Sequence, residues 1–430
     1  MRNLSLVFLF VLAAGSLLFA TDITLEGTVS IPQPGEDVWV ANIGGEDYAF
    51  VNAADSGVRK IRISDGTEVA CFVPPDGAVR DIWVKDTLLF VANHGFSDTI
   101  LYILNISTFT PVGKFQATGS GDHYFGEAIT VSSDTQNVVF IAVERLTGTT
   151  RDVFLYVIDA KDPTAPRSAI SDHCPSYPGN LTDFHTYRTA IKIGTNVSIL
   201  DLAIAAREYK RVPYGARLSN SVCCYYQWLL CTEDTVDVWH IAALVANSDS
   251  AWISIYSYDY FHKDAYKKHP TGCGGGTVAT EPAPFALKGD PYYSPITDPL
   301  QDRYTFSSAE AYQMWVGFHN GTEYAFVARG SSGLWILPLY IGISVDDDIR
   351  DPIISGYKAS SADNYRDVHI YGDLIFLANY GNASGEKLLS VLSAAALEDS
   401  VLEETAHYNG FFGEGIWGDS LKVYVVGDSL

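Results

Sequence analysis

A recurring order of short apolar runs limits the folds open to this chain more than any other property. Asp37-Val38-Trp39-Val40, a Gly turn, Tyr48-Ala49-Phe50-Val51-Asn52 and Gly57-Val58-Arg59-Lys60-Ile61-Arg62-Ile63 read as three strands separated by turn residues. The order returns 44 residues later as Asp81-Ile82-Trp83-Val84, Leu88-Leu89-Phe90-Val91-Ala92-Asn93 and Ile100-Leu101-Tyr102-Ile103-Leu104. Further first strands begin at Ile129, Ile191, Met314, Val368 and Ile416, with second strands at Phe140-Ile141-Ala142, Tyr324-Ala325-Phe326-Val327-Ala328 and Ile375-Phe376-Leu377-Ala378-Asn379. Repeats of roughly 40 to 50 residues built from four short strands are the signature of propeller blades. The spacing therefore predicts an all-β protein, a β-propeller of four-stranded antiparallel blades. Seven inner strands give seven blades, and Val236-Asp237-Val238-Trp239 offers an eighth.

The composition agrees with a packed domain and narrows its partners. An apolar share of 47% lies in the range of roughly 45 to 50% usual for globular chains, which sets disorder aside. With 28 Lys and Arg against 51 Asp and Glu, the formal charge is −23 and no basic run exists to neutralise phosphates. Nucleic acid and anionic lipid are poor candidate partners on that ground, and cationic or neutral ligands are favoured. Residues 1 to 20 read as an export leader: basic Arg2, an apolar stretch over residues 4 to 19, small Ala20, then polar Thr21-Asp22. This places the mature domain, residues 21 to 430, outside the cytoplasm, secreted to an extracellular or periplasmic space, with no second apolar run long enough to span a membrane. A retained anchor is the alternative.

Six cysteines, Cys71, Cys174, Cys223, Cys224, Cys231 and Cys273, fit disulfides in an exported chain better than zinc, whose paired-ligand spacing they lack. Five of them fall in a loop-rich insertion region at about 170 to 310, which also holds Gly272-Cys273-Gly274-Gly275-Gly276. That glycine cluster has neither a phosphate-loop pattern nor a helix behind it and reads as a tethered loop. Sequons stand at Asn105, Asn180, Asn196, Asn320 and Asn382. The strand pattern, with Tyr324-Ala325-Phe326-Val327-Ala328 followed by Gly333-Leu334-Trp335-Ile336-Leu337, resembles the LVIVD-repeat family of exported β-propellers, over roughly residues 35 to 160 and 310 to 430. The resemblance implies an architecture and no single activity. Because the last copy ends after its second strand, the alternating residues 22 to 31 are expected to close the ring by pairing into the last blade, which removes two open sheet edges.

In such a ring, residues before each inner strand and after each second strand emerge on one face. Those positions carry Asp37, Asn52, Arg80, Asp81, Asn93, His94, Glu127, Arg188, Arg329, Arg366, Asp367, Asn379 and Glu414. They are the candidate ligand-binding residues of a channel mouth. The competing reading makes them ion pairs and hydrogen bonds that lock neighbouring blades. Carboxylates and Asn amides suit Ca²⁺, whereas the arginines suit a carboxylated or sulfated sugar. Trp39, Trp83, Trp315 and Trp417 share one inner-strand position and read as packing between blades. No nucleophile elbow, zinc-protease motif or calcium-loop motif is present, so a non-enzymatic binding or scaffolding module for an extracellular protein or glycan is favoured. The alternative is a hydrolase or lyase acting on a polysaccharide or other polyanion at the same mouth, with His94, Asp367 and Glu414 as the residues to suspect. A surface adhesion protein is a third reading, and it differs mainly in its anchoring.

Overall fold

In the computed structural model the described residues are 4–10, 24–31, 35–117, 122–133, 137–168, 190–211, 235–261, 300–339, 351–380, 387–409 and 412–428. Six blades, against the seven expected from the repeat, are each built from one continuous stretch of chain among the described residues, and the remaining sheet is a composite of the two ends. Blade 1 runs inside to outside through Asp37–Ile43, Glu46–Asn52, Val58–Arg62 and Thr67–Phe72. Blade 2 starts on Gly77–Lys85, blade 3 on His123–Val131, blade 4 on Ser198–Arg211, blade 5 on Gln313–His319 and blade 6 on Tyr365–Tyr371. The closing sheet starts on Phe412–Gly418. Every ladder is antiparallel, and each inner strand packs on the next, the last returning to the first.

Apolar residues on both faces of every middle strand explain the radial stacking. Ala49, Phe50 and Val51 are all fully buried, as are Leu89 to Ala92, because each sheet has a neighbouring sheet on either side. The core is accordingly a set of slabs between blades, such as Phe50, Ile82, Val91 and Leu104 between blades 1 and 2.

Three expectations from the sequence are corrected. Ala190–Thr195, read as an inner strand, is the outer edge of blade 3, where it pairs with Thr150–Asp159 beside the two-residue strand Arg167–Ser168. Lys192 shows why: its ammonium lies 2.7 Å from the Asp152 carboxylate, and a solvated lysine belongs on an edge strand. The inner strand of blade 4 is instead Ser198–Arg211, and Thr235–Ala246, the candidate eighth inner strand, is its second strand. The region from 170 to 310 thus carries a whole blade besides its insertions. Cys71 is a free exposed thiol with Sγ 3.7 Å from the Ser56 carbonyl oxygen. The other five cysteines, the Gly272 to Gly276 loop and Arg188 lie outside the described residues.

Ring closure uses the N-terminal strand in a different order. Thr24–Ile31 is the outermost strand of the closing sheet, but Leu4–Phe10 stands between it and Lys422–Asp428. Residues with the composition of a leader therefore supply the third strand. Ile31 is buried against Val38, Val51, Tyr424 and Val426, with Val29 packed beside them.

Glycine is required where inner strands approach their neighbours. A Cβ on Gly126 would sit 2.5 Å from the Ile100 carbonyl oxygen, and one on Gly415 would sit 2.8 Å from Asp37 Cα. Gly126→Ala is expected to cost about 1 to 3 kcal/mol, since two backbones must separate. An unchanged denaturation midpoint would show that blade 2 yields freely.

Candidate functional site

Five inner strands begin with a β-bulge, and each bulge turns its extra residue into the channel mouth. The register shifts fall at Arg80, Glu127, Leu200, Arg366 and Glu414. All five line a vestibule of about 190 Å³ together with Glu36, Asp37, Asp81, Tyr312 and Gln313. A bulge re-aims one side chain without shifting the face of the rest of the strand, so charged residues reach the axis while the apolar alternation is kept. Glu127 is the hub of one side: its Oε1 lies 2.6 Å from His94 Nδ1 and its Oε2 lies 3.8 Å from Arg80 Nε. The His94 ring stacks on Phe125 at 4.4 Å, and Phe96, 73% exposed, meets Phe125 edge-on. On another side the Arg366 guanidinium lies 3.9 Å from the Tyr312 ring and 4.9 Å from Tyr380, which packs on Phe412.

Beneath the mouth four carboxylates, Asp37, Asp81, Asp201 and Asp367, form a tier at equivalent positions of blades 1, 2, 4 and 6. Three act as latches between blades. Asp81 accepts from its neighbour Ile82 N–H (2.7 Å) and from Ile129 N–H of blade 3 (2.7 Å). Asp201 accepts from Leu202 and, at 2.8 Å, from Met314 of blade 5; Asp367 accepts from Val368 and, at 2.7 Å, from Ile416 of the closing sheet. Asp37 accepts from Val38 N–H at 2.6 Å through Oδ1. The equivalent donor in blade 2, Ile82 N–H, is already held by Asp81, so no such bond reaches Asp37 Oδ2.

Below the carboxylates lies an aromatic tier. Trp39 and Trp83 have ring centroids 4.6 Å apart, and Trp39 also reaches Trp315 at 6.2 Å across the axis from blade 1 to blade 5. His369 continues the chain of rings to Trp417. The tryptophans flank the core of their own blades and are half-buried, so they turn their rings into the channel as well as packing between sheets. Carboxylate and aromatic tiers together bound a cavity of about 650 Å³.

Burial raises the proton affinity of Asp81, Asp201 and Asp367, further supported by the like charges facing them, and pushes Asp37 up to about 7. His369 is held neutral by burial, its pKa lowered to about 3, while its Nδ1 accepts from Gly418 N–H. The folded state therefore binds protons that the unfolded chain, with carboxyls near 4, has released. The contribution of Asp37 to stability is complete below about pH 4 and is lost as pH rises through about 7. We expect a lower melting temperature at pH 8 than at pH 5, and a smaller decline in Asp37→Asn. A decline of equal size in that variant would show that Asp37 does not carry the effect.

The other expected mouth residues have structural duties. Asn52 donates to the Arg80 carbonyl and accepts from Ala54 N–H, Asn93 donates to the Thr99 carbonyl, and Asn379 joins Asn364 N–H to Asp363. Arg329 is buried, bonding the Glu310 and Ser308 carbonyls and the Ser308 hydroxyl under the Phe306 and Trp335 rings. Of the residues suspected for hydrolysis, His94 is paired with Glu127, Asp367 is engaged by Val368 and Ile416 N–H groups, and Glu414 lines the vestibule. Calcium needs six to eight oxygen ligands. Among the described residues no group of three or more His, Cys, Asp or Glu is placed to hold a metal ion.

Sequence reasoning missed Asp201, Leu200, Thr130, Tyr312 and His369. An available signal was the pair of Asp followed by an aliphatic residue, which Asp37-Val38, Asp81-Ile82 and Asp367-Val368 share with Asp201-Leu202.

Fold and site together define a β-propeller whose acidic mouth leads into an aromatic channel, an architecture consistent with a binding or scaffolding module. No family model matches the chain, and no curated protein matches it. Among solved structures it is similar to the computationally designed Ika8 protein at 10% identity and a TM-score of 0.42, over 93% of this chain and 96% of that one. It is similar to the Myceliophteria thermophila Cps50 (Swd1) β-propeller domain at 9% identity and 0.45, over 90% of each, and to Chaetomium thermophilum Raptor at 8% and 0.46, over 93% of this chain and 28% of that one. Among the described residues no helix is long and apolar enough to cross a membrane.

Proposed function

We propose that this is an exported binding or scaffolding module of LVIVD-repeat type that holds a positively charged segment of an extracellular partner at the channel mouth. The observation that carries it is the bulge ring. Five independent strands spend an irregularity to aim a side chain at one vestibule, where Glu36, Asp37, Asp81, Glu127 and Glu414 stand against Arg80 and Arg366. The acidic excess, with an overall charge of −23, attracts cations and repels polyanions. Aromatic faces at Phe96, Tyr380 and Phe412 give such a segment apolar contact beside the charges.

Labelled oligolysine, oligoglutamate and heparin test the reading, each titrated at low and high salt. Oligolysine should bind, weaken as salt rises, and lose affinity at least tenfold in the double variant Glu127→Lys/Glu414→Lys. Preference for heparin, or indifference to the charge reversal, would overturn it. Export rests on Arg2, the apolar residues 4 to 19 and Ala20. The N-terminal mass of protein recovered from outside the cell decides between processing after Ala20 and retention of Leu4–Phe10 in its sheet.

A further inference from the structure

We infer that the channel beneath the mouth takes a primary alkylammonium group, from a lysine side chain or a free amine, with Asp37 as its counter-charge and the tryptophan tier as its wall. This deepens the mouth reading and rests on it for the route of entry.

The argument begins with an exception in the latch pattern. Asp81, Asp201 and Asp367 each give both oxygens to backbone N–H groups, one in their own strand and one in the next blade. Asp37 cannot, because blade 2 has an aspartate of its own whose Oδ1 occupies the Ile82 N–H. One carboxylate of the tier therefore faces the cavity with an acceptor that no backbone donor takes. Carboxylates alone would not make a site, but a second polar group points the same way. Thr130 is fully buried, lines the cavity, and its hydroxyl has no hydrogen-bond partner. On its strand Thr130 holds the position that Trp39, Trp83, Trp315, His369 and Trp417 hold on theirs, which is the position aimed at the axis. Beyond Val38 N–H, Asp37 has only the side chain of Trp39 on its own strand as a donor; an orphaned buried hydroxyl and a carboxylate without an inter-blade partner in one cavity are groups that a hydrogen-bond donor from outside would satisfy.

The walls select the chemistry of that donor. Indole faces attract cations, and Trp39 and Trp83 present half-buried rings directly below the carboxylates. An anion finds no backbone donors here, because the tier's N–H groups are already held by its own carboxyl oxygens. A quaternary ammonium would satisfy the rings yet leave the carboxylate and hydroxyl unbonded, since it has no N–H. A primary ammonium has three donors on a narrow apolar stem, so its head suits the polar atoms and its methylenes suit the mouth's aromatic flank. The cavity of about 650 Å³ accommodates such a group with its water.

Calorimetric titration of the full chain with n-butylammonium, n-butanol, tetramethylammonium and Nα-acetyl-lysine amide tests this. Butylammonium and the lysine amide should bind saturably at one site, at least tenfold more tightly than butanol or tetramethylammonium. Asp37→Asn should remove that preference at least tenfold, and Thr130→Val should weaken it severalfold, both with far-UV circular dichroism and melting kept. Asp37 makes no bond to another blade's backbone, so its variant remains folded. Binding of the lysine amide far above butylammonium identifies a protein side chain as the source; equal binding identifies a free amine. The mouth reversal Glu127→Lys/Glu414→Lys separates the two readings, because it should weaken oligolysine binding at least tenfold while leaving the Asp37-dependent preference for butylammonium over butanol. Oligolysine binding without any butylammonium binding overturns the channel inference alone. Equal affinity for butylammonium and butanol, or a preference unchanged by Asp37→Asn, also overturns it.

Discussion

A chain starting at residue 32 is expected to lose most of its stability and to melt without a cooperative transition. Deleting residues 1 to 31 removes Leu4–Phe10 and Thr24–Ile31, two of the four strands of the sheet that joins the ends of the ring. It strips the buried Ile31 and the packed Val29 from Val38, Tyr424 and Val426. Burial of two such side chains is worth roughly 3 to 6 kcal/mol. The Lys422–Asp428 strand also loses its ladder partner and becomes an open edge, a template for aggregation. Against a total stability of about 5 to 15 kcal/mol the combined loss is close to complete. A soluble truncated chain with an unchanged melting temperature would refute this account of closure.

A chain starting at residue 21 probes a different point. Leu4–Phe10 is antiparallel to both of its neighbours, so Thr24–Ile31 runs parallel to Lys422–Asp428. With the strand between them removed, the outer strand cannot restore the antiparallel ladder by a sideways step. The 21–430 chain should therefore melt below the full chain and above the 32–430 chain. Equal melting of the first two would show that the intervening strand contributes nothing.

The fold was readable because propeller blades repeat one local grammar: an acidic residue, an inner strand with a central aromatic, a tight turn, and an apolar second strand. Six inner strands announced themselves in this way. Blade 4 did not, because Ala190–Thr195 alternates like an inner strand, and the aspartate that precedes the aliphatic residue in blades 1, 2, 4 and 6 is missing in blades 3 and 5 and the closing sheet, so its absence before Ile191 is no guide. Alternation reports which face a side chain takes and is silent on strand order within a sheet. The mouth was half legible for a related reason. Arg80, Glu127, Arg366 and Glu414 stood at the right point of the repeat, but a bulge leaves little trace in residue identity beyond the glycines of Gly126-Glu127 and Gly413-Glu414. Asn52, Asn93 and Asn379 carry the same residue type at the same position, and burial turns them into corner clasps. Whether a polar side chain faces a ligand or its own backbone depends on neighbours brought in from another blade, which spacing along the chain does not encode.

The latch aspartates should separate sharply from Asp37 when each is truncated. In Asp367→Ala two backbone donors, Val368 N–H and Ile416 N–H, lose their acceptor in a buried setting. Each orphaned donor costs about 1 to 3 kcal/mol, so the variant should lose roughly 2 to 6 kcal/mol. The loss falls where blade 6 meets the composite sheet, next to the Gly418 N–H bond to His369. Asp367→Asn should fall between Asp367→Ala and the unaltered chain. An amide has one acceptor oxygen, so either rotamer presents an NH₂ to a backbone N–H and leaves one donor unmet. Asp37→Ala orphans one backbone donor, Val38 N–H, frees the half-buried Trp39 side chain to meet the channel, and relieves the cost of a carboxyl whose ionisation burial opposes. Its loss should be below about 2 kcal/mol. Urea denaturation of the three variants at one pH supplies the comparison. If Asp37→Ala and Asp367→Ala cost the same, the four carboxylates are equivalent and the latch explanation fails. If they differ as expected, three of these side chains hold the ring together and the fourth is the one that evolution could leave for a ligand without loosening it.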